Sequence, residues 1–174
     1  MTDLSLEINL QNQGYTAIAG VDEVGRGPWA GPVVAAAVIL QPGATLPEVT
    51  DSKKLTATKR KTLVDSIKTQ SIWALGEASV EEIDQLNIRN ATFLAMTRAV
   101  QNLPSPADFA LIDGNATPPE LNMPNQCVIK GDDHSLSIAA ASILAKVYRD
   151  DLMAKLHTQF PHYGWDSNAG YGTK

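Results

Sequence analysis

A buried strand does not carry two consecutive carboxylates into an apolar interior, yet residues 20–27 read Gly-Val-Asp-Glu-Val-Gly-Arg-Gly. The approach, Tyr15 to Val21, is rich in small and β-branched residues and predicts a buried strand. Consecutive side chains on a strand point to opposite faces. Asp22 and Glu23 are therefore expected to serve one site only if the strand stops there and the backbone turns. Gly25 and Gly27 permit that turn and leave backbone N–H groups bare enough to touch a ligand. Carboxylates beside exposed amides and Arg26 point to a metal site that also holds a phosphate. The competing reading is a strand ending in a glycine turn with solvated charges, and the rest of the chain decides between them.

Val33 to Leu40 contains only Val, Ala, Ile and Leu and predicts a second buried strand, paired with the first around Gly31-Pro32. A loop with Pro42, Gly43 and Pro47 leads to Asp51-Ser52-Lys53-Lys54-Leu55-Thr56. Thr56 then caps a helix whose inner face is Leu63, Val64 and Ile67. Ser71–Ser79 predicts a third strand. Glu81–Leu103 predicts a long helix, acidic in its first turn and closed by Pro104, with apolar residues nearly all round, as in an enclosed helix. Short strands at Phe109–Ile112 and Cys127–Ile129 deliver Asp113 and Asp132. A helix over Ser137–His157 follows, and Tyr163–Lys174 reads as a loop. Strands in series followed by helix–strand alternation predict an α/β fold, a mixed five-stranded sheet flanked by helices. Asp22, Glu23, Asp113 and Asp132 then all lie at strand ends, where open α/β sheets place ligands.

The 174 residues fit one domain spanning 1–174, with a core large enough to need no disulfide. A net charge of −5 argues against holding nucleic acid by bulk electrostatics alone. It does not exclude a nuclease, because carboxylates loaded with divalent cations reverse the local sign. Cys127 is the single cysteine, which leaves no Cys-rich zinc site and suits a reducing compartment. Met1–Gln13 is polar and lacks the pattern of a leader, and no apolar run is long enough to span a bilayer, so the expected setting is cytoplasmic, with no membrane partner.

The segments AGVDEVGRGPWAGPVVAAAVIL, DSKKLT, EEIDQLNI, LIDGN, KGDDHSLSIAAASILAKVYRD and NAGYGT, in that order, resemble the ribonuclease HII family from about residue 18 onward. The resemblance implies a ribonuclease H-like fold. It also implies endonucleolytic cleavage of RNA in RNA–DNA hybrids and on the 5′ side of single ribonucleotides in duplex DNA, leaving 3′-hydroxyl and 5′-phosphate ends. It assigns Asp22, Glu23, Asp113 and Asp132 as active-site carboxylates for divalent cations, Mg²⁺ or Mn²⁺, two per site with substrate bound. Hard oxygen donors suit those ions. Gly25, Arg26, Gly27 and Tyr171 are expected at the ribose, whose 2′-hydroxyl separates RNA from DNA. Ser52 and Lys53 are expected at phosphate.

Other residues divide between two readings. Lys59-Arg60-Lys61 reads as a solvated extension of the Lys53–Lys54 patch. Asp133 adjoins Asp132, and the KGD register selects Asp132. His134 reads either as a proton-transfer aid or as a solvated residue at a helix start. Arg149 and Asp150 read as a structural ion pair or surface charges. Ala169 stands where the family often has Lys or His, and the family's further C-terminal helix, basic tail and clamp-binding peptide are not visible here. The expected protein is a monomer. The alternatives are a non-catalytic nucleic-acid-binding module on the same fold, and ribonuclease HIII, whose extra N-terminal domain has no room before Asp22.

Overall fold

The computed structural model describes residues 2–172. A short helix α1 (Ser5–Asn12) precedes strands β1 (Ile18–Val24) and β2 (Val33–Leu40). Helix α2 (Ala57–Thr69), strand β3 (Ser71–Ala78) and the long helix α3 (Val80–Gln101) follow. Strands β4 (Phe109–Asp113) and β5 (Asn125–Val128), helix α4 (Leu136–Gln159) and a single turn α5 (Trp165–Asn168) complete the chain. The strands form one sheet in the order β3-β2-β1-β4-β5. Pairs β1–β2 and β2–β3 are antiparallel, and β1–β4 and β4–β5 are parallel. The mixed five-stranded α/β sheet expected from the sequence is thus observed.

Alternation along the strands sorts side chains onto two faces. Ala19, Val21, Ala35 and Ala37 meet Ala91, Ala95 and Ala99 of α3. Val34, Ala36 and Val38 meet Ala139, Ala140 and Ile143 of α4. So many alanines bring the helices close to the sheet. At Gly20 the approach leaves no room for a side chain: a Cβ there would lie 2.3 Å from the Ile138 nitrogen.

Local signals explain the helix starts. Thr56 accepts from the Lys59 N–H, and Ser79 and Glu82 form a capping box at α3 that Arg98 closes with an ion pair. Three expectations change. Residues 5–12, read only as part of a polar N-terminus with no helix assigned, form α1 because Glu7 and Leu10 turn inward, Glu7 accepting from Ser135 and Ser137. Helix α3 is enclosed only from Ala91 onward. Its first turns are exposed, and Asn87 (φ 67°, ψ 163°) interrupts the helix. The tail is not wholly loop, since Pro161–Tyr163 forms a 3₁₀ turn ahead of α5.

Candidate active site

Strand β1 does not stop before its acidic pair. Its pairing with β2 runs on through Asp22↔Ala36, Glu23↔Ala35 and Val24↔Val34. The expected break does not occur because the opening arises on the other edge. Parallel pairing with β4 ends at Val21↔Ile112, so beyond that point the edge facing β4 is free. Side chains leaving opposite faces can bend round a free edge, and a carboxylate oxygen from each of Asp22, Glu23 and Asp113 lies within 4.8 Å of the others. Asp113 ends β4 and accepts the Gly131 N–H at 2.7 Å, which ties the turn bearing Asp132 to the same place.

Asp22 and Asp132 are buried, and Glu23 and Asp113 are half-buried. Burial, then the charges of Glu23 and Asp113, hold the Asp22 carboxyl well above the ordinary range. Burial also raises Glu23, although Arg26, bonded to it at 3.3 Å, pulls the other way. Asp132 is raised to about 6 by burial and by the charges of Asp113 and Asp51, against the pull of Lys53. The four groups share one electrostatic field, three of them within bridging distance of a single cation. An all-oxygen, hard donor set of concentrated negative charge fits Mg²⁺ or Mn²⁺.

The remaining sequence candidates fall at different places. Gly25 has φ 108°, and a Cβ there would come 2.6 Å from the Pro32 carbonyl oxygen. Arg26 and Gly27 are exposed beside it. Tyr171, on the tail, brings its ring over Gly27: a Cβ on Gly27 would sit 3.3 Å from the tyrosine Cε1. Lys53 lies 3.8 Å from Asp132 with its side chain largely in solvent. Ser52 does not reach the surface. Its buried hydroxyl accepts from Ser142 of α4 at 2.7 Å, so it pins the Asp51–Lys54 turn to the helix rather than facing a phosphate. Lys54 is engaged by Asp133, and His134 is exposed.

Two basic residues differ from their sequence reading. Arg60 is no solvated cation: it donates to the Ser52 and Leu55 carbonyls at 2.8 and 2.6 Å and fixes the same turn. Arg149 is fully buried, forms no ion pair with Asp150, and donates to the carbonyls of Ala30, Pro32 and Ala169 at 2.7–3.0 Å. Asp150 pairs instead with Lys146 and Arg60. Arg149 thereby joins the loop after Gly27 to the turn before Tyr171. No sequence signal marks it, because both loops approach α4 only in the fold.

Comparison with known proteins bears on the family and the fold. Residues 19–174 match the ribonuclease HII family profile. The chain belongs to the ribonuclease HII family. It is 58% identical to ribonuclease HII of Ruegeria pomeroyi over 172 residues, covering 99% of this chain and 74% of that protein. Among solved structures, the ribonuclease HII bound to PCNA from Archaeoglobus fulgidus is 26% identical, with a TM-score of 0.76 over 91% of this chain and 83% of that one. Bst-RNase HIII in complex with Mn²⁺ shares the fold at 22% identity, with a TM-score of 0.72 over 86% of this chain and 56% of that one. The chain is accordingly a hydrolytic nuclease of ribonuclease H type 2, not a binding module, and its fold is that of ribonucleases HII and HIII. No helix among the described residues is long and apolar enough to cross a membrane.

Proposed function

We propose that this ribonuclease HII hydrolyses the RNA strand of RNA–DNA hybrids and cuts duplex DNA on the 5′ side of single ribonucleotides, leaving 3′-hydroxyl and 5′-phosphate ends. The observation that carries the reading is the convergence of Asp22, Glu23 and Asp113 within 4.8 Å, next to the Gly25–Gly27 loop over which Tyr171 lies. Such a site joins a cation-holding cluster to a surface bare enough to reach a sugar edge.

Asp22, Glu23, Asp113 and Asp132 would hold two Mg²⁺ or Mn²⁺ ions with substrate bound, and Asp22, buried and within 4.8 Å of both Glu23 and Asp113, would be their shared ligand. Ions so held would make a water nucleophilic and relieve charge on the leaving oxygen. The Mn²⁺ complex of the HIII neighbour supports the metal class. Arg26 restrains Glu23 through their ion pair and balances part of its charge. Amides and carbonyls of Gly25–Gly27 approach the 2′-hydroxyl, which a deoxyribose lacks. The Tyr171 ring packs on the adjoining sugar. Lys53, set by the pinned Ser52 turn, meets a backbone phosphate and positions the duplex.

The test is a duplex with one ribonucleotide incubated with the protein in Mg²⁺, beside an all-DNA duplex of the same sequence. Cleavage of the first alone, abolished by EDTA and reduced at least about 100-fold by Asp22→Asn and by Asp113→Asn with folding intact, is expected, since each loses transition-state charge stabilisation. Activity of either variant within a few-fold of the parent removes that residue from the ligand set.

A further inference from the structure

The EEIDQLNI segment has no part in the site so far, yet its Asn87 positions Arg89, just beyond it, at a cleft beside the site. Asn87 interrupts α3, and its Oδ1 accepts the N–H groups of Arg89 and Asn90 at 3.0 and 3.2 Å, restarting the helix at Ile88. Arg89 thus sits in the first turn of the new segment. Its guanidinium lies 5.5 Å from the centre of the Phe93 ring, and Phe93 packs on the core. Arg26, Arg89, Thr92, Asp113, Gly114 and Asn115 are among the residues lining one cleft of about 40 Å³. The cleft opens at a carboxylate of the active-site cluster and carries two guanidinium groups.

The cations near the carboxylates are not equivalent. Arg26 is bonded to Glu23 and Lys54 to Asp133. Arg89 is exposed and has no carboxylate partner among the described residues. A guanidinium braced against an aromatic ring keeps its N–H edge outward, the presentation that suits a phosphate. Position adds to this. Helix α3 covers one face of the sheet and α4 the other. Lys53 belongs to the α4 side, because Ser52 is bonded to Ser142. Arg89 and Lys53 therefore flank the carboxylates from opposite faces.

We propose that Arg89 binds a backbone phosphate of the substrate duplex on the α3 side of the cut, opposite Lys53, so that the duplex is gripped on both flanks. This rests on the ribonucleotide-cleaving function proposed above. Such contacts fix register and orientation without reading sequence.

The test measures kcat and KM of the parent, Arg89→Ala and Arg89→Lys on a duplex with a central ribonucleotide, from 50 to 300 mM salt. Arg89→Ala should raise KM about 3- to 10-fold, leave kcat within about two-fold, and lower the slope of log(kcat/KM) against log salt by about one phosphate's worth. Arg89→Lys should restore most of that slope. An unchanged unfolding midpoint shows that this exposed residue acts on substrate and not on folding. Shortening the duplex from one end should erase the difference between parent and Arg89→Ala, and shortening it from the other end should erase that for Lys53→Ala. Parent-like KM and salt slope in Arg89→Ala, an Arg89→Lys that behaves as Ala, or an Arg89 effect that survives shortening from either end would each overturn the proposal. A parent that fails to cut the ribonucleotide duplex would instead sink the function on which it rests.

Discussion

Asp22, Glu23, Asp113 and Asp132 repel one another when ionised, and burial sharpens the repulsion because the charged forms lose water. Asp22, Glu23 and Asp132 are raised for this reason, so over an interval of pH they keep protons in the folded protein that the unfolded chain has released. For Asp132 the interval runs from the ordinary aspartate value near 4 to about 6. The sign follows from linkage: a raised folded pKa contributes stability that is full below the unfolded pKa and lost as pH rises through the folded one. Asp132→Asn in EDTA should therefore be more stable than the parent at pH 8 and show no such gain at pH 4, read from chemical denaturation at both pH values. Equal midpoints at pH 8 would mean that Asp132 carries no such strain. Tyr171 supplies a second test. Losing one hydroxyl removes about 0.5–1.5 kcal/mol of net hydrogen bonding, whereas losing the ring removes the packing surface as well. Tyr171→Phe should be modestly slower and Tyr171→Ala much slower on DNA with one ribonucleotide, with smaller losses on long hybrids, where the downstream sugar is a ribose. Equal losses on both substrates in a cleavage assay would reduce Tyr171 to a packing residue.

Two loops depend on one side chain. Arg149 sits under the turn at Gly31–Pro32 and under Ala169, and removing it would leave three carbonyls without their donor. A buried carbonyl left without its donor costs about 1–3 kcal/mol. Arg149→Met should lower the unfolding free energy by that order, and Arg149→Lys by less, since an ammonium keeps the charge and cannot span all three carbonyls. In whichever variant stays folded, the ribonucleotide preference should weaken, because Gly25–Gly27 and Tyr171 are no longer held together. Parent-like stability in denaturant titrations of Arg149→Met would contradict the tie. The elements themselves were legible wherever local chemistry decides them: the Val33–Leu40 run, the Thr56 cap and the acidic start of α3. Helix α1 was hidden because its inward face consists of Glu7 and Leu10, and a buried glutamate has no apolar signature. The end of β1 was misplaced because pairing with β2 outlasts pairing with β4, a property of two partners rather than of the strand. Arg60 read as a solvated charge and Arg149 as an ion-pair or surface charge, since bonds to backbone carbonyls leave no sequence pattern.

At the scale of the whole molecule, the sheet brings residues from positions 22 to 132 together at the carboxyl ends of β1 and β4, between helices on either face. The four carboxylates were visible in the sequence as strand-end acids. Their mutual distances and the burial of Ser52 were not, since the first depends on where β1 parts from β4 and the second on how α4 packs. An acidic chain of net charge −5 becomes a nuclease on this account through a local concentration of carboxylates that a divalent cation reverses in sign, with Lys53 placed at the rim. The most direct measurement is the chemistry of the ends left in Mg²⁺ on a duplex carrying one ribonucleotide, resolved to the nucleotide. The account predicts a cut on the 5′ side of the ribonucleotide, with a 3′-hydroxyl on the DNA fragment and a 5′-phosphate on the fragment that begins with the ribonucleotide. A cut on the 3′ side ending in a 2′,3′-cyclic phosphate would make the 2′-hydroxyl the nucleophile and contradict it.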